Sequence, residues 1–224
     1  MPAGAATVGT QTTKPAAVTL TGSAGVPATV GRSWLEQALS RRQAELARLT
    51  ASVERSHLLS TSVRQTLESQ LAAETSGIDA LAAAVPGQPT ATLEATASTM
   101  VHQYRVYLVM VPKVRIAERA GRQETAERHA SRLESVISTR IAAAEKAGRT
   151  VAQAETAYQN LVSEITQATS DTAGADSVLA VQPSGYPADE GTIGSARDDL
   201  GSARSVLPEV RSDLRSIRSS LGGR

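Results

Sequence analysis

Glu54 and His57 stand three residues apart, a spacing that puts a carboxylate and an imidazole on one side of a helical turn. In di-iron bundles an E-x-x-H pair supplies two ligands from one helix, but such a site needs a second copy and two further glutamates. The chain has no second copy, and one match in a charged helix carries no metal site. His129 lies among charges and reads as solvated. His102 belongs to the most distinctive stretch of the chain, VHQYRVYLVMVPK over residues 101–113, together with Tyr104, Arg105 and Tyr107. Phenol, imidazole and guanidinium groups held together could orient a polar ligand. The bland alternative is the core of a bundle, with hydroxyls bonded at its edge. On an unbroken helix Tyr104, Leu108 and Val111 would share one face, and His102, Arg105 and Val109 would lie elsewhere.

A second pattern sits near the C-terminus. ARDDL, ARSVL, VRSDL and IRSSL begin seven residues apart and place arginines at 197, 204, 211 and 218. The apolar residues between them, Ile193, Ala196, Leu200, Ala203, Leu207, Val210, Leu214, Ile217 and Leu221, alternate at three and four. That is a heptad seam with leucines at a, and Arg197, Arg204, Arg211 and Arg218 fall at e, beside it. There an arginine covers apolar surface with its stem and reaches a carboxylate with its head. Packing therefore explains the repeat. The functional alternative is an arginine ladder for an anionic partner, weakened by Asp198, Asp199, Glu209 and Asp213 on the same helix. Pro208 falls at b, facing outward, where a kink is tolerable.

These residues need helices to position them, and the chain reads as helices almost throughout. Residues 1–31 hold Ala, Thr, Gly, Val and Pro with no period and read as a flexible arm. Ser33 with Glu36 is a capping-box signature, followed by the stripe Leu35, Leu39, Leu46, Leu49 and Val53. A second helix begins near Ser60 or Thr61 and carries Val63, Leu67, Leu71, Ile78, Leu81 and Val85. VPGQPT at 85–90 is a break. Thr90 or Thr92 caps a third helix, whose stripe Leu93, Ala97, Met100, Tyr104, Leu108 and Val111 runs to Pro112. The proline kinks or stops it, and Gly121 is a second weak point. A fourth helix shows Ala126, Ala130, Leu133, Ile137, Ile141 and Ala144. Gly148 suits a C-terminal cap and Thr150 the next N-cap. The fifth helix carries Val151, Ala154, Tyr158, Leu161, Ile165 and Ala168 and continues to about 180. QPSGYPADEG is a loop before the last helix, which should pair antiparallel with the fifth, Leu200, Leu207 and Leu214 lying against Leu161, Ile165 and Ala168.

Composition narrows the class. The chain has no Phe, one Trp and four Tyr, so Ala, Leu and Val must fill its core, as they do in slender helical bodies. Twenty-three basic and 22 acidic residues balance, which argues against a general nucleic-acid binder. The absence of cysteine excludes disulfides and thiolate sites. The most apolar run, VYLVMVPKV, is about half the ~20 residues a membrane span requires and contains Pro and Lys. Met1 is not followed by a basic stretch and a continuous apolar core, so the chain reads as cytosolic or as a mature form whose signal was removed. A Gly-rich phosphate loop, a G-x-S-x-G elbow and H-E-x-x-H are all missing.

The segment VHQYRVYLVMVPKVRIAERA, two alanine-rich helices, the VLAVQPSGYPAD loop and the AR..L..AR helix resemble a group of exported helical proteins of actinobacteria with no assigned activity. The resemblance covers residues 33–221. It implies export to the cell surface or medium and supplies no catalytic residue.

The expectation is an all-α protein of elongated antiparallel helices with coiled-coil-like packing. Two tandem three-helix bundles, 32–118 and 119–221, would join at a kinked junction near 112–121; the rival is one folded-back bundle. The expected function is non-enzymatic: a spacer or adhesion-type protein, secreted or at the cell surface, without cofactor or metal. It would meet a protein partner, or itself, through its helices. One alternative is a small-ligand or enzymatic domain using His102, Tyr104 and Tyr107. Another is an anionic-surface binder, a membrane surface included, using the arginine stripe.

Overall fold

The computed structural model describes residues 31–222. The expected arm lies outside them, apart from residue 31. Seven α-helices follow one another: α1 Arg32–Arg55, α2 Thr61–Ala84, α3 Thr90–His102, α4 Val111–Lys146, α5 Ala152–Ala175, α6 Glu190–Ser205 and α7 Leu207–Leu221. Among the described residues there is no strand, and the β-prone residues at 104–111 are helical or turn. The protein is an all-α helical bundle.

The first core is built of leucines. α1 buries Leu35, Leu39, Leu46, Leu49 and Val53, the stripe read from the sequence. A five-residue turn at 56–60 folds α2 back on it, and Ser60 caps α2 by accepting a hydrogen bond from the Val63 N–H at 3.3 Å. Leu67, Leu71 and Ile78 of α2, Leu93, Ala97 and Met100 of α3, and Val111, Val114 and Ala117 of α4 complete the cluster. Fully burying one such leucine contributes about 1.5–3 kcal/mol. A second cluster joins Ile116 and Ala120 of α4 to Ala175, Val178 and Val181 and to Ile193, Ala196 and Leu200 of α6. A third joins Ile137, Ile141 and Ala144 at the far end of α4 to α5 and to Ile217 of α7. α4, at ~1.5 Å per residue about 54 Å long, lends side chains to all three.

The caps depart from expectation. α1 begins at Arg32 after Gly31, with no side-chain cap, so the Ser33–Glu36 box is not made. The Arg32 guanidinium instead donates to the carbonyls of Val85 and Gln88, tying the first turn of α1 to the turn after α2. Pro89 and Val151 stand where Thr90 or Thr92 and Thr150 were expected to cap. Gly148 does end α4, with φ +75°, a conformation glycine adopts without a Cβ clash. The Arg149 N–H then closes on the Ala144 carbonyl at 3.1 Å.

α3 stops at His102 instead of running to Pro112. Arg105 (φ −85°, ψ 56°) forms an inverse γ-turn, with the Val106 N–H bonded to the Tyr104 carbonyl at 3.0 Å. A single π-turn, Val106–Met110, follows and leads directly into α4. The turn and the wide π-turn shift the helical frame, so Val106, Val109 and Met110 go inward and Leu108, placed inward by the sequence pattern, is 52% exposed. Pro112 then lies in the first turn of α4, where its missing N–H costs nothing. α4 continues as one helix through Gly121, so neither Pro112 nor Gly121 stops it. Gly121 is there for another reason: a Cβ on it would lie 2.3 Å from the Leu58 carbonyl oxygen.

Two further stripes are corrected. On α4, Ala126 is exposed and Leu133 is 44% exposed, whereas Glu127 is buried and accepts a hydrogen bond from Thr172 Oγ1 at 2.6 Å. The last helix is two: α6 ends at Ser205, Val206 intervenes, and Pro208 occupies the first turn of α7. The proline interrupts the ladder, so the seam is not continuous. Ile193, Ala196, Leu200 and Ala203 are buried on α6, but α7 buries only Ile217, with Leu207, Val210, Leu214 and Leu221 half-covered. The antiparallel pairing with α5 holds. α6 meets Ala175 near the end of α5, and Ile217 meets the α5 residues from Ala154 to Ile165. Arg149, just before α5, donates to the Leu221 carbonyl at 2.8 Å.

Candidate functional site

The frame shift at Arg105 takes the polar cluster apart. His102 is exposed at the end of α3. Tyr104 turns onto α2, its ring so close to Gly77 that a Cβ there would lie 2.1 Å from it. Arg105 reaches back through Nε to the His102 carbonyl at 3.0 Å, and its guanidinium stacks 5.0 Å from the centre of the Tyr186 ring. Tyr107, 47% exposed, lies beneath the Arg42 guanidinium of α1 at 5.4 Å. Burial pushes the pKa of Arg42 down, and Tyr107 opposes the shift. His102 and Arg105 remain neighbours, while Tyr104 and Tyr107 leave toward different helices.

Between them lies a group the sequence reading passed over. Lys113, on the first turn of α4, is completely buried. Its Nζ donates to Gln70 Oε1 on α2 at 2.8 Å, to the Leu179 carbonyl at 3.4 Å and to the Val181 carbonyl. Gln70 Nε2 also donates to the Leu179 carbonyl, at 3.0 Å. One ammonium thus fastens the segment after α5 to both α2 and α4. Glu74, one turn along α2, is buried with Oε2 unpartnered. Desolvation raises its pKa to about 7, against the pull of Lys113. Desolvation lowers Lys113 to about 8, against the attraction of Glu74 and Asp189. A buried charge demands partners, and a lysine inside the most apolar run of the chain was the signal available in the sequence.

The lock fixes the path into the 182–189 loop and α6, and so the place of Arg197. Arg197, Arg204, Arg211 and Arg218 are all exposed, but they do not form one stripe, because the break at Val206 divides them between two helices. Arg197 instead joins Arg115 and Arg119 of α4 around a pocket of about 260 Å³, with Tyr107, Val111, Pro112 and Ile116 as its other walls. The one ion pair within 4.0 Å among the described residues is Arg48–Glu45, so none of these three arginines is neutralised by a paired carboxylate.

On α1 and α2 an open groove of about 670 Å³ is lined by Ala47, Ala51 and Ala72, by Thr50, Thr75 and Ser76, and by Glu54, Glu68 and Asp79, the last accepting a hydrogen bond from Gln43 Nε2 at 2.7 Å. Glu54 is exposed there, and His57 is exposed in the turn beyond α1. Among the described residues no group of three or more His, Asp or Glu side chains is placed to hold a metal ion. Among them no helix is long and apolar enough to cross a membrane.

Fold and surface together define a helical bundle with two candidate recognition features, one acid-edged groove and one arginine-lined pocket. Compared with protein-family models, with curated proteins and with solved structures, the chain matches none.

Proposed function

We propose that this is a non-enzymatic interaction protein that receives an amphipathic helix of a partner protein in the groove between α1 and α2, at the cell surface or in the medium. The observation that supports this reading is the groove itself. Its small lining residues, Ala47, Ala51 and Ala72 among them, let a third helix approach closely, as helix-in-groove recognition requires. Its edge carries the carboxylates Glu54, Glu68 and Asp79, so the partner helix bears Lys or Arg beside its apolar stripe. The opposite faces of α1 and α2 are already committed to the leucine core, which makes the pair a rigid platform.

A photo-cross-linking residue at Ala72, with one at exposed Ala91 on α3 as control, tests this in an extract of the native cell. The expected result is an adduct from position 72 alone, lost on Ala51→Trp and on Glu68→Lys with Asp79→Lys. Equal adducts from both positions, none from 72, or adducts indifferent to the charge reversal would overturn the reading.

A further inference from the structure

The arginine pocket lies on a different part of the surface and does not depend on the groove. We infer that it is a binding site for a phosphoryl group, either free in a small phosphate ester or carried by a lipid headgroup.

The residues argue for it in three ways. Arg115 and Arg119 are four apart on α4 and so share a face, and Arg197 comes to the same pocket from α6. A guanidinium presents its donors as a planar fork, and forks from two helices suit the outward oxygens of a phosphoryl group better than the single plane of a carboxylate. Three of the acidic neighbours are directed elsewhere. Glu118 accepts from Ser52 Oγ at 2.5 Å. Glu190 lies beside the Tyr186 phenol, whose pKa is raised first by desolvation and then by Glu190. Asp199 is directed at Gly174 of α5, where its Oδ2 would lie 2.7 Å from an added Cβ. Asp198 is exposed beside Arg197. Glu45 of α1 also feels the charge of Arg115 but is itself paired with Arg48, and among the described residues none of the three arginines has a carboxylate within 4.0 Å.

The remaining wall is apolar. Val111, Pro112 and Ile116 are buried side chains of α4 and limit water on that side, which strengthens charge-assisted hydrogen bonds. A volume of about 260 Å³ equals the share of roughly nine waters at ~30 Å³ each, more than a bare phosphate fills. A small apolar body fits behind the phosphoryl group, against Ile116 and the Tyr107 ring.

Titration calorimetry of the full chain with inorganic phosphate and with phenyl phosphate tests the site, beside co-sedimentation with phosphatidylcholine vesicles containing phosphatidic acid. Arg197→Gln and Arg119→Gln change exposed side chains and leave the core intact. Each should weaken binding about tenfold, the loss of one charge-assisted contact, whereas Arg204→Gln should not change it. Phenyl phosphate should bind more tightly than phosphate. Co-sedimentation lost in Arg197→Gln and displaced by phenyl phosphate would identify a lipid headgroup as the source; calorimetric binding without co-sedimentation would identify a soluble ester. Equal binding by wild type, Arg197→Gln and Arg204→Gln, or no binding of any of the three probes, would overturn the inference.

Discussion

The two ends of this molecule are built of the same secondary structure but not of the same core. In the first cluster Leu35, Leu39, Leu46, Leu67 and Leu71 have no exposed surface at all. They interdigitate among four helices, with α3 and the start of α4 covering the α1–α2 pair. In the third cluster the seam of α4, α5 and α7 mixes Ile137, Ile141, Val151, Leu161, Ile165 and Ile217 with Ala144, Ala154 and Ala157, exposed by 0% to 8%. Its alanines let helices approach but bury little area per residue, and α7 is held there by one buried isoleucine and the half-covered Val210, Leu214 and Leu221. Thickness of the core, not regularity of the pattern, separates the two ends. α7 has the cleaner heptad sequence and the thinner burial.

The sharpest test of that contrast is a pair of truncations. Leu71→Ala should cost about 3–5 kcal/mol, because the surrounding helices prevent collapse of the cavity. Ile217→Ala should cost about 2 kcal/mol, at the low end of the same range, since half-covered neighbours can relax into the gap. Denaturant midpoints measure both. A larger loss at Ile217 would reverse the ranking of the two cores.

The boundary between the regions is testable by pH. Glu74 has a folded-state pKa of about 7 against an ordinary 4.5, so the folded protein holds its proton more tightly than the unfolded chain. Its contribution to stability is present below about pH 4.5 and is lost as pH rises to about 7. Lys113, lowered to about 8 from 10.5, acts oppositely, and stability returns between about pH 8 and 10.5. The pair by itself is thus least favourable between about pH 7 and 8. Glu74→Gln should flatten the fall in melting temperature between pH 5 and 7.5, an effect of about 1–2 kcal/mol. A residual slope should remain, because burial also raises the carboxyls of Glu124, Glu164 and Asp176. An unchanged slope in the variant would mean that Glu74 ionises as freely folded as unfolded.

The smallest effects belong to the break between α6 and α7. Leu207 is half-buried, so Leu207→Ala should cost about 1 kcal/mol. Arg204 is exposed, and Arg204→Ala should cost ~0–1 kcal/mol. Thermal melts of the two variants side by side would locate the seam. Equal losses would place the arginine in a contact as important as the leucine.

Much of this architecture is legible in the residues. The α1 stripe, the start of α2 near Ser60 and the Gly148 terminus follow from local rules, a 3.6-residue period or one residue's backbone freedom, and the pairing of α5 with the last helices follows from two matching seams joined by a short loop. The misreadings share a cause. Leu108 and Leu133 sit at helical spacing from buried neighbours, yet both are exposed, because a period says which residues share a face and not whether another element covers it. At Arg105 even the period failed, since an inverse γ-turn and a π-turn leave no mark in apolar spacing. The candidate sites were the least legible. The arginine pocket takes one member from the C-terminal repeat and two from α4, and the groove takes alanines that no motif distinguishes.

By itself the sequence determined that the chain is helical, where most helices begin and end, and which leucines form the first core. Those properties depend on neighbours within a few turns. The tertiary structure alone decided that Lys113 would be enclosed, that His102, Tyr104 and Tyr107 would part, and that Arg197 would meet Arg115 and Arg119. Each of those outcomes depends on where a distant helix is fixed in space, through contacts such as that of Lys113 with the Val181 carbonyl, 68 residues away. Local spacing carries no information about that distance, and the γ-turn and π-turn at 104–110 interrupt the helical period itself.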